Sequence, residues 1–214
     1  MLCRDEVSRI HSSLVAAAIR IAECNGLHVD GEQRGYNAVE THVRRLIWFN
    51  LCFLDIRLAE AQGPRPIIRA EDYETKLPSS MDDADLSVDG QTVASEGQWT
   101  EMTVPLIRFR CNEFIRRIWI NRRKLMAREI SVTPIIDEIE SFRLEWSLKF
   151  APSNPDDPLQ RYGRCLLDIQ TLRTYAMVLN IFHLHPKLRM PGKLLVFIAY
   201  AVSDVLQSDC SQFS

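Results

Sequence analysis

Residues 38–61 read AVETHVRRLIWFNLCFLDIRLAEA, and this stretch decides the class of fold. Apolar side chains recur in it at spacings of three and four and no proline interrupts them, so we predict an α-helix from Ala38 to Ala61. The apolar positions cover most of the helix circumference and are Val39, Val43, Leu46, Ile47, Phe49, Leu51, Phe53, Leu54 and Leu58. A helix with so little polar surface is usually buried at the centre of a fold.

Helical spacing also appears on both sides of this segment, over residues 7–21, 104–125, 135–146 and 159–183. In the first of these helices, the face that we expect to be buried carries Val7, Ile10, Leu14, Ala17 and Ile21. In the last, it carries Leu159, Tyr162, Leu166, Ile169, Leu172, Ala176, Leu179 and His183. No segment shows the period-two alternation of a strand. The predicted fold is therefore all-α, an array of packed helices.

One long irregular loop is predicted at about residues 63–103. Three prolines and a run of serines and aspartates mark it, and helical periodicity is missing. A segment of this length without periodicity is uncommon in a compact domain, and such segments tend to be functional or disordered. We expect its first part, up to Leu86, to be ordered by its apolar residues, and the part from Ser87 to Gly97 to be mobile.

Composition places the chain among ordinary globular proteins. It has 214 residues, of which 46% are hydrophobic and 25% charged, with a formal net charge of −2. This length predicts a single domain, residues 1–214, and this charge gives no strong overall attraction to nucleic acid. The longest apolar run, residues 194–202, is too short for a membrane-spanning helix, which needs about 20 residues. We therefore expect a nuclear or cytoplasmic protein that does not enter a membrane.

Six cysteines are spread along the chain, and no two of them are close in sequence. A local zinc site needs short ligand spacings, so we interpret them as reduced thiols, with Cys52, Cys111 and Cys165 as small core residues. His183 and His185 lie two positions apart and point in different directions on a helix. We therefore expect neither a metal nor a cofactor.

Charged residues on and after the predicted central helix form the first candidate site. Arg44 and Trp48 are four positions apart and share a helix face, which suggests a cation–π contact. Asp55 is expected to accept hydrogen bonds from an arginine of the following loop, and Arg65 is the best placed. One interpretation is the polar wall of a pocket, and the other, which we favour, is a buried ion pair that holds the loop on the bundle.

A basic segment occupies residues 108–128. It contains Arg108, Arg110, Arg116, Arg117, Arg122, Arg123, Lys124 and Arg128. One interpretation is a surface that contacts phosphate or directs nuclear import. The other is a solvated helix face whose charges pair with Asp82, Asp83 and Asp85, and the spread of charges around the helix favours it.

Five short elements, taken in order, resemble those of a known family. They are Gly26-Leu27-His28, Arg44-Arg45 with Trp48, Asp55-Ile56-Arg57, Gly63-Pro64-Arg65-Pro66 and Leu77-Pro78. The middle homology region of fungal binuclear zinc-cluster transcription factors is similar, with Gly-Leu-His, Arg-Arg-x-Trp-Trp, Asp-Arg, Gly-Arg-Pro and Leu-Pro elements. The likeness continues more weakly to about Lys193. Phe49 stands where the family commonly has a second Trp, and the family's cluster of six closely spaced cysteines is missing.

The resemblance implies a helical regulatory domain without the zinc-cluster DNA-binding module, linked to metabolic gene control that includes secondary metabolism. It implies a small-molecule effector, a protein partner or a second copy of the chain, and no direct DNA contact by these residues. The candidate pocket residues are Arg44, Arg45, Trp48, Asp55, Arg57 and Arg65.

An alternative belongs to a different functional class. A stand-alone copy of this fold, recruited as an enzyme acting on a small metabolite, would take its acid–base groups from His28, Asp55, Arg57, Asp72 and Tyr73. The sequence holds no glycine-rich phosphate loop and no GxSxG nucleophile motif, so we favour the regulatory interpretation.

Overall fold

The computed structural model describes residues 2–61, 65–86, 99–151, 154 and 156–184, and the side chains of residues 10–182 within these ranges. Five α-helices form most of the described backbone: α1 (Leu2–Cys24), α2 (Ala38–Ala61), α3 (Thr103–Met126), α4 (Thr133–Lys149) and α5 (Pro158–Leu184). No strand occurs in these residues, so the all-α prediction is confirmed. The apolar run at residues 194–202 lies outside the described residues.

The helices pack in a definite order. α1 lies on α2, α2 on α3, α3 on α5, and α5 on α4. Helix α3 therefore contributes to two apolar clusters. One cluster joins α1 and α2 to Phe109 of α3, and the other joins the opposite side of α3 to α4 and α5. Phe114 of α3 stacks on Phe142 of α4 with 4.1 Å between the ring centroids.

Helix α2 has the predicted bounds, but it is buried on one side only. Trp48, Cys52 and Ile56 have no exposed surface, whereas Val43 and Ile47 on the other side are 44% and 45% exposed. The prediction of burial around nearly the whole helix is wrong, because α1 and α3 do not cover these positions.

The end of α1 is set by Gly26. Gly26 has a φ of 69°, in the left-handed region that favours glycine. Its N–H donates to the Glu23 carbonyl at 2.8 Å, and the N–H of Leu27 donates to the Ala22 carbonyl at 2.9 Å. These two bonds satisfy carbonyls that a helix end leaves free, and they turn the chain towards α2.

The buried face of α1 differs from the predicted one. Ile10, Leu14 and Ile21 are each more than 60% exposed, whereas Ile19 and Ala22 are 2% and 3% exposed. α1 carries apolar residues on two sides, and periodicity alone does not tell which of them faces α2. Packing selects the side of Ile19, next to the cluster around Trp48.

This choice of face gives a direct test. Ile19→Ala should lower the free energy of unfolding by about 2–5 kcal/mol, because it leaves a cavity in the α1–α2 cluster. Leu14→Ala, on the exposed side, should change it by less than about 0.5 kcal/mol. Urea denaturation of the two variants measures the difference. A larger loss for Leu14→Ala would mean that the exposed side of α1 is the packed one.

Helix α5 is likewise rotated relative to the prediction. Tyr162 and Ile169 are 58% and 57% exposed, and the side chain of His183 lies outside the described residues. The buried side carries Leu167, Gln170, Thr171, Thr174, Tyr175, Val178 and Ile181. The hydroxyls of Thr171 and Thr174 donate to carbonyls of their own helix at 2.9 and 2.8 Å. Because their polar groups are satisfied there, these residues are buried without an unpaired hydroxyl.

The predicted irregular loop is present. Residues 65–86 contain only two single-turn 3₁₀ helices, Ala70–Asp72 and Asp83–Asp85, and α3 begins at Thr103. The segment 87–97, expected to be mobile, lies outside the described residues. Among the helices that the structure describes, all are too short or too polar to cross a membrane.

Candidate functional site

A buried carboxylate holds the start of the long loop against α2. Asp55 is 3% exposed, and its two oxygens accept the backbone N–H groups of Ile67 and Ile68 at 2.8 and 2.9 Å. The arginine that pairs with it is Arg116 of α3, whose Nη1 lies 3.4 Å from Asp55 Oδ2. Arg65, the predicted partner, is exposed. The predicted hydrogen bond from Arg65 is wrong, because the arginine that meets Asp55 comes from α3 and the loop is held through its own backbone N–H groups.

Arg116 connects three elements of the fold. Its Nη1 also donates to the Ile68 carbonyl, and its Nη2 donates to the Cys52 carbonyl at 3.3 Å. Glu113, one turn earlier on α3, accepts the hydroxyl of Tyr73. Burial raises the pKa of Asp55, and the two loop N–H groups and the charge of Arg116 only partly offset this effect. Burial and the neighbouring Glu113 likewise raise the pKa of Tyr73.

A second buried ion pair lies at the other end of α2. Arg45 donates from Nε and Nη2 to the two oxygens of Asp30, at 2.9 and 2.7 Å. Asp30 also accepts the N–H groups of Lys76 and Glu32 at 2.8 and 3.2 Å. Burial alone would raise the pKa of Asp30. These hydrogen bonds outweigh it and hold the pKa below the ordinary range.

This second pair ties the loop after α1 to the segment before Leu77. Lys76 Nζ lies 2.7 Å from Glu32, which also contacts Arg45 at 2.8 Å. The Thr75 hydroxyl donates to the Leu27 carbonyl at 2.6 Å. Arg45 was a candidate pocket residue, and the structure places it in this internal network instead.

Arg44 and Trp48 do not form the predicted cation–π contact. The guanidinium of Arg44 lies 4.5 Å from the ring centroid of Tyr36, and it donates to the Asn25 carbonyl at 2.8 Å. Trp48 is fully buried, with its ring centroid 6.3 Å from that of His28 and 5.5 Å from that of Tyr73. The indole turns into the core, and Arg44 turns towards the loop after α1.

A cleft of about 310 Å³ lies on the outer side of the Asp55–Arg116 network. The first part of the long loop forms one wall, and α3 forms the other. Its lining residues are Arg65, Pro66, Ile68, Arg69, Ala70, Glu71, Arg116, Trp119, Ile120 and Arg123. Of the six predicted pocket residues, only Arg65 lines it. Arg57 lies outside it, 3.5 Å from Glu60.

The remaining lining residues were not assigned to a pocket from the sequence. Arg116 and Arg123 do belong to the basic segment that we considered as a phosphate-contacting surface. The ion pairs of Arg116 and Arg117 in this segment are with Asp55 and Glu138, and not with the aspartates of the loop as predicted. Asp82 accepts the N–H of Glu101 at 2.7 Å, and several arginines of α3 lie over aromatic rings instead.

Four of the residues considered for catalysis take part in contacts within the fold. Asp55 and Tyr73 belong to one network through Arg116 and Glu113. Asp72 accepts the N–H of Arg69 in its own turn at 2.9 Å, and His28 packs beside Trp48. These contacts hold loops in place.

The cysteines match their predicted role in part. Cys52 and Cys111 are 0% and 2% exposed and carry free thiols. Burial raises the pKa of Cys111 to about 12, so its thiol stays protonated at neutral pH. Cys165 is only half-buried.

Comparison with known proteins supplies the family. The profile described as fungal specific transcription factor domain matches residues 2–129. The C6 finger domain transcription factor hasF of Aspergillus fumigatus is 35% identical over 120 residues, which cover 53% of this chain and 16% of hasF. A transcriptional regulatory protein of Schizosaccharomyces pombe is 35% identical over 100 residues, covering 47% of this chain and 16% of its own length.

A third relative is the pyriculol/pyriculariol biosynthesis cluster transcription factor 1 of Pyricularia oryzae, 30% identical over 103 residues, covering 48% of this chain and 14% of the relative. The matched region thus covers about one sixth of the length of these curated relatives. No solved structure matches the chain. Because the profile match takes in more than half of the residues, the chain belongs to the family of the fungal-specific transcription factor domain.

Proposed function

We propose that the chain is a single regulatory domain that controls the activity of a fungal transcription factor, and that it does so by binding a small effector in the cleft. The observation that carries this proposal is that two residues belong both to the cleft and to the network that holds the loop on α2. Arg116 and Ile68 line the cleft and also belong to the hydrogen-bond network around Asp55.

Shared residues give a physical route from binding to conformation. A ligand that contacts Arg116 competes with, or reinforces, the bonds that hold residues 67–68 on α2. It therefore binds the attached and detached states of the loop with different affinities, and this difference is what shifts a conformational equilibrium. The loop would then act as the switch element, and α2 and α3 as the rigid frame.

The biological setting follows from the relatives. One of them is named as the transcription factor of a biosynthesis cluster, so we propose a nuclear role in metabolic gene control. We assign no DNA contact to these residues, because the six cysteines are too widely spaced to form a local zinc cluster. No contact in the described residues favours the enzyme alternative, which enters as an outcome of the test.

Deleting the gene in the native organism should change the transcript levels of a set of metabolic genes. A wild-type copy should restore these transcript levels, and a copy with an early stop codon should not. The comparison distinguishes the effect of losing the protein from the effect of altering the locus. Transcript sequencing and metabolite profiling of the same cultures give the two measurements. Unchanged transcripts with an accumulating precursor would overturn the regulatory proposal and support the enzyme.

A further inference from the structure

We infer that the cleft between residues 65–71 and α3 binds an amphipathic organic anion, a small molecule that joins a carboxylate to an apolar ring or chain. The inference rests on the proposed effector role and names the class of ligand. Its support is the combination of charge and apolar surface in one concave site.

The residues that line the cleft carry mainly positive charge. Four arginines line the cleft, at positions 65, 69, 116 and 123, against one carboxylate, that of Glu71. Within the part of the chain that the structure describes, no carboxylate pairs with the guanidinium of Arg65, Arg69 or Arg123. Three like charges around one small volume repel one another, and an anion between them relieves that repulsion.

Arg116 supplies an independent observation at the inner end of the cleft. It is 3% exposed, and its Nε–H makes no hydrogen bond in the described residues, with Glu113 Oε1 at 3.6 Å. A buried donor without an acceptor is costly, at about 1–3 kcal/mol, and is uncommon in folded proteins. Arg116 therefore lines the cleft with one donor that its protein contacts leave unused.

The rest of the lining is apolar and excludes a bare inorganic ion as the best occupant. Ile68 and Trp119 are buried at the floor, and Ile120 is 49% exposed beside them. The volume of about 310 Å³ lies at the low end of the range for small-molecule sites, roughly 300–1,000 Å³. A planar carboxylate matches the fork of a guanidinium, and an attached apolar group covers the exposed surface of Ile120.

The test compares an anion with its neutral isostere. Naphthalene-2-carboxylate and naphthalene-2-carboxamide have the same size and apolar group, and they differ in charge. Calorimetric titration of the purified full chain should show that the carboxylate binds about tenfold or more tightly than the amide, because charge-assisted hydrogen bonds are the stronger ones. Inorganic phosphate should bind more weakly than the naphthoate.

Two variants on one turn of α3 locate the site. Arg123→Glu reverses a charge at the cleft and should weaken naphthoate binding by about tenfold or more. Lys124→Glu makes the same change in net charge at an exposed neighbour that does not line the cleft, and it should stay within roughly twofold of wild type. Circular dichroism checks that both variants are folded, since neither side chain takes part in the buried networks.

Four results would overturn the inference. Equal affinity for the acid and the amide would mean that the arginines do not select charge. Equal weakening by both variants would indicate a general electrostatic effect. Arg123-dependent binding of a single-stranded oligonucleotide that exceeds that of the naphthoate would reassign the surface to nucleic acid. No naphthoate binding at millimolar concentration would remove the site. A positive result together with unchanged transcripts in the deletion strain would keep the site and remove the regulatory function.

Discussion

Replacing Asp55 with alanine is expected to lower the free energy of unfolding by about 3–5 kcal/mol. The substitution removes the acceptor for the N–H groups of Ile67 and Ile68 and leaves Arg116, with a side chain only 4% exposed, without its buried counterion. A buried charge that loses its partner is far more costly than a surface ion pair, which is worth about 0–1 kcal/mol. Urea denaturation measures the change.

A matched control and a double variant make this result specific. Asp137→Ala, at an exposed position of α4, should change the stability by less than about 0.5 kcal/mol. Arg116→Met on the Asp55→Ala background should recover part of the loss, because it removes the unpaired buried charge and keeps most of the packed volume. The single variant Arg116→Met completes the comparison. If the losses of Asp55→Ala and Arg116→Met simply add in the double variant, Asp55 and Arg116 are not coupled, and the loop is held by other contacts.

Replacing Asp30 with alanine is expected to cost about 3 kcal/mol at neutral pH, near the lower limit for a broken buried pair because Glu32 still contacts Arg45. This loss should depend on pH. The folded-state pKa of Asp30 is lower than its unfolded value, so its stabilising contribution is complete above the unfolded pKa of about 3.9. It is lost as the pH falls from there through the lower folded pKa.

The difference between wild type and Asp30→Ala should therefore be large at about pH 7 and shrink below about pH 4. Denaturant titrations across that range measure it. A difference that stays constant down to about pH 3 would mean that folding does not lower the pKa of Asp30, contrary to what its contacts require.

The motif residues could be recognised from the sequence, but the partners of their side chains could not. Asp55 was placed correctly as the acceptor that anchors the loop, because a buried aspartate at the end of an apolar helix needs donors. Arg65 was chosen as its partner because it is near in sequence. Arg116, 61 positions away from Asp55, occupies that place since α3 packs directly on α2.

The cleft likewise combines features that the sequence shows with an arrangement that it does not show. A basic stretch on α3 and a polar loop after α2 were both visible as patterns. That residues 65–71 of the loop lie against Arg116, Trp119 and Arg123 depends on the packing of α3. The predicted pocket around Arg44, Arg45 and Trp48 was a set of neighbours along one helix. Tertiary contacts occupy all three side chains, since Arg44 and Arg45 bond to the loop after α1 and Trp48 is buried in the core.

The sequence by itself determined the helices, the position of the long loop and the family, because periodicity, helix-ending residues such as Gly26 and short motifs are local properties. Only the tertiary structure decided which side of α1 and α5 is buried, which arginine meets Asp55 and where the cleft lies. Those outcomes depend on the free energy of packing several helices at once. In that competition, Ile19 and Thr171 are buried while Leu14 and Ile169 remain exposed.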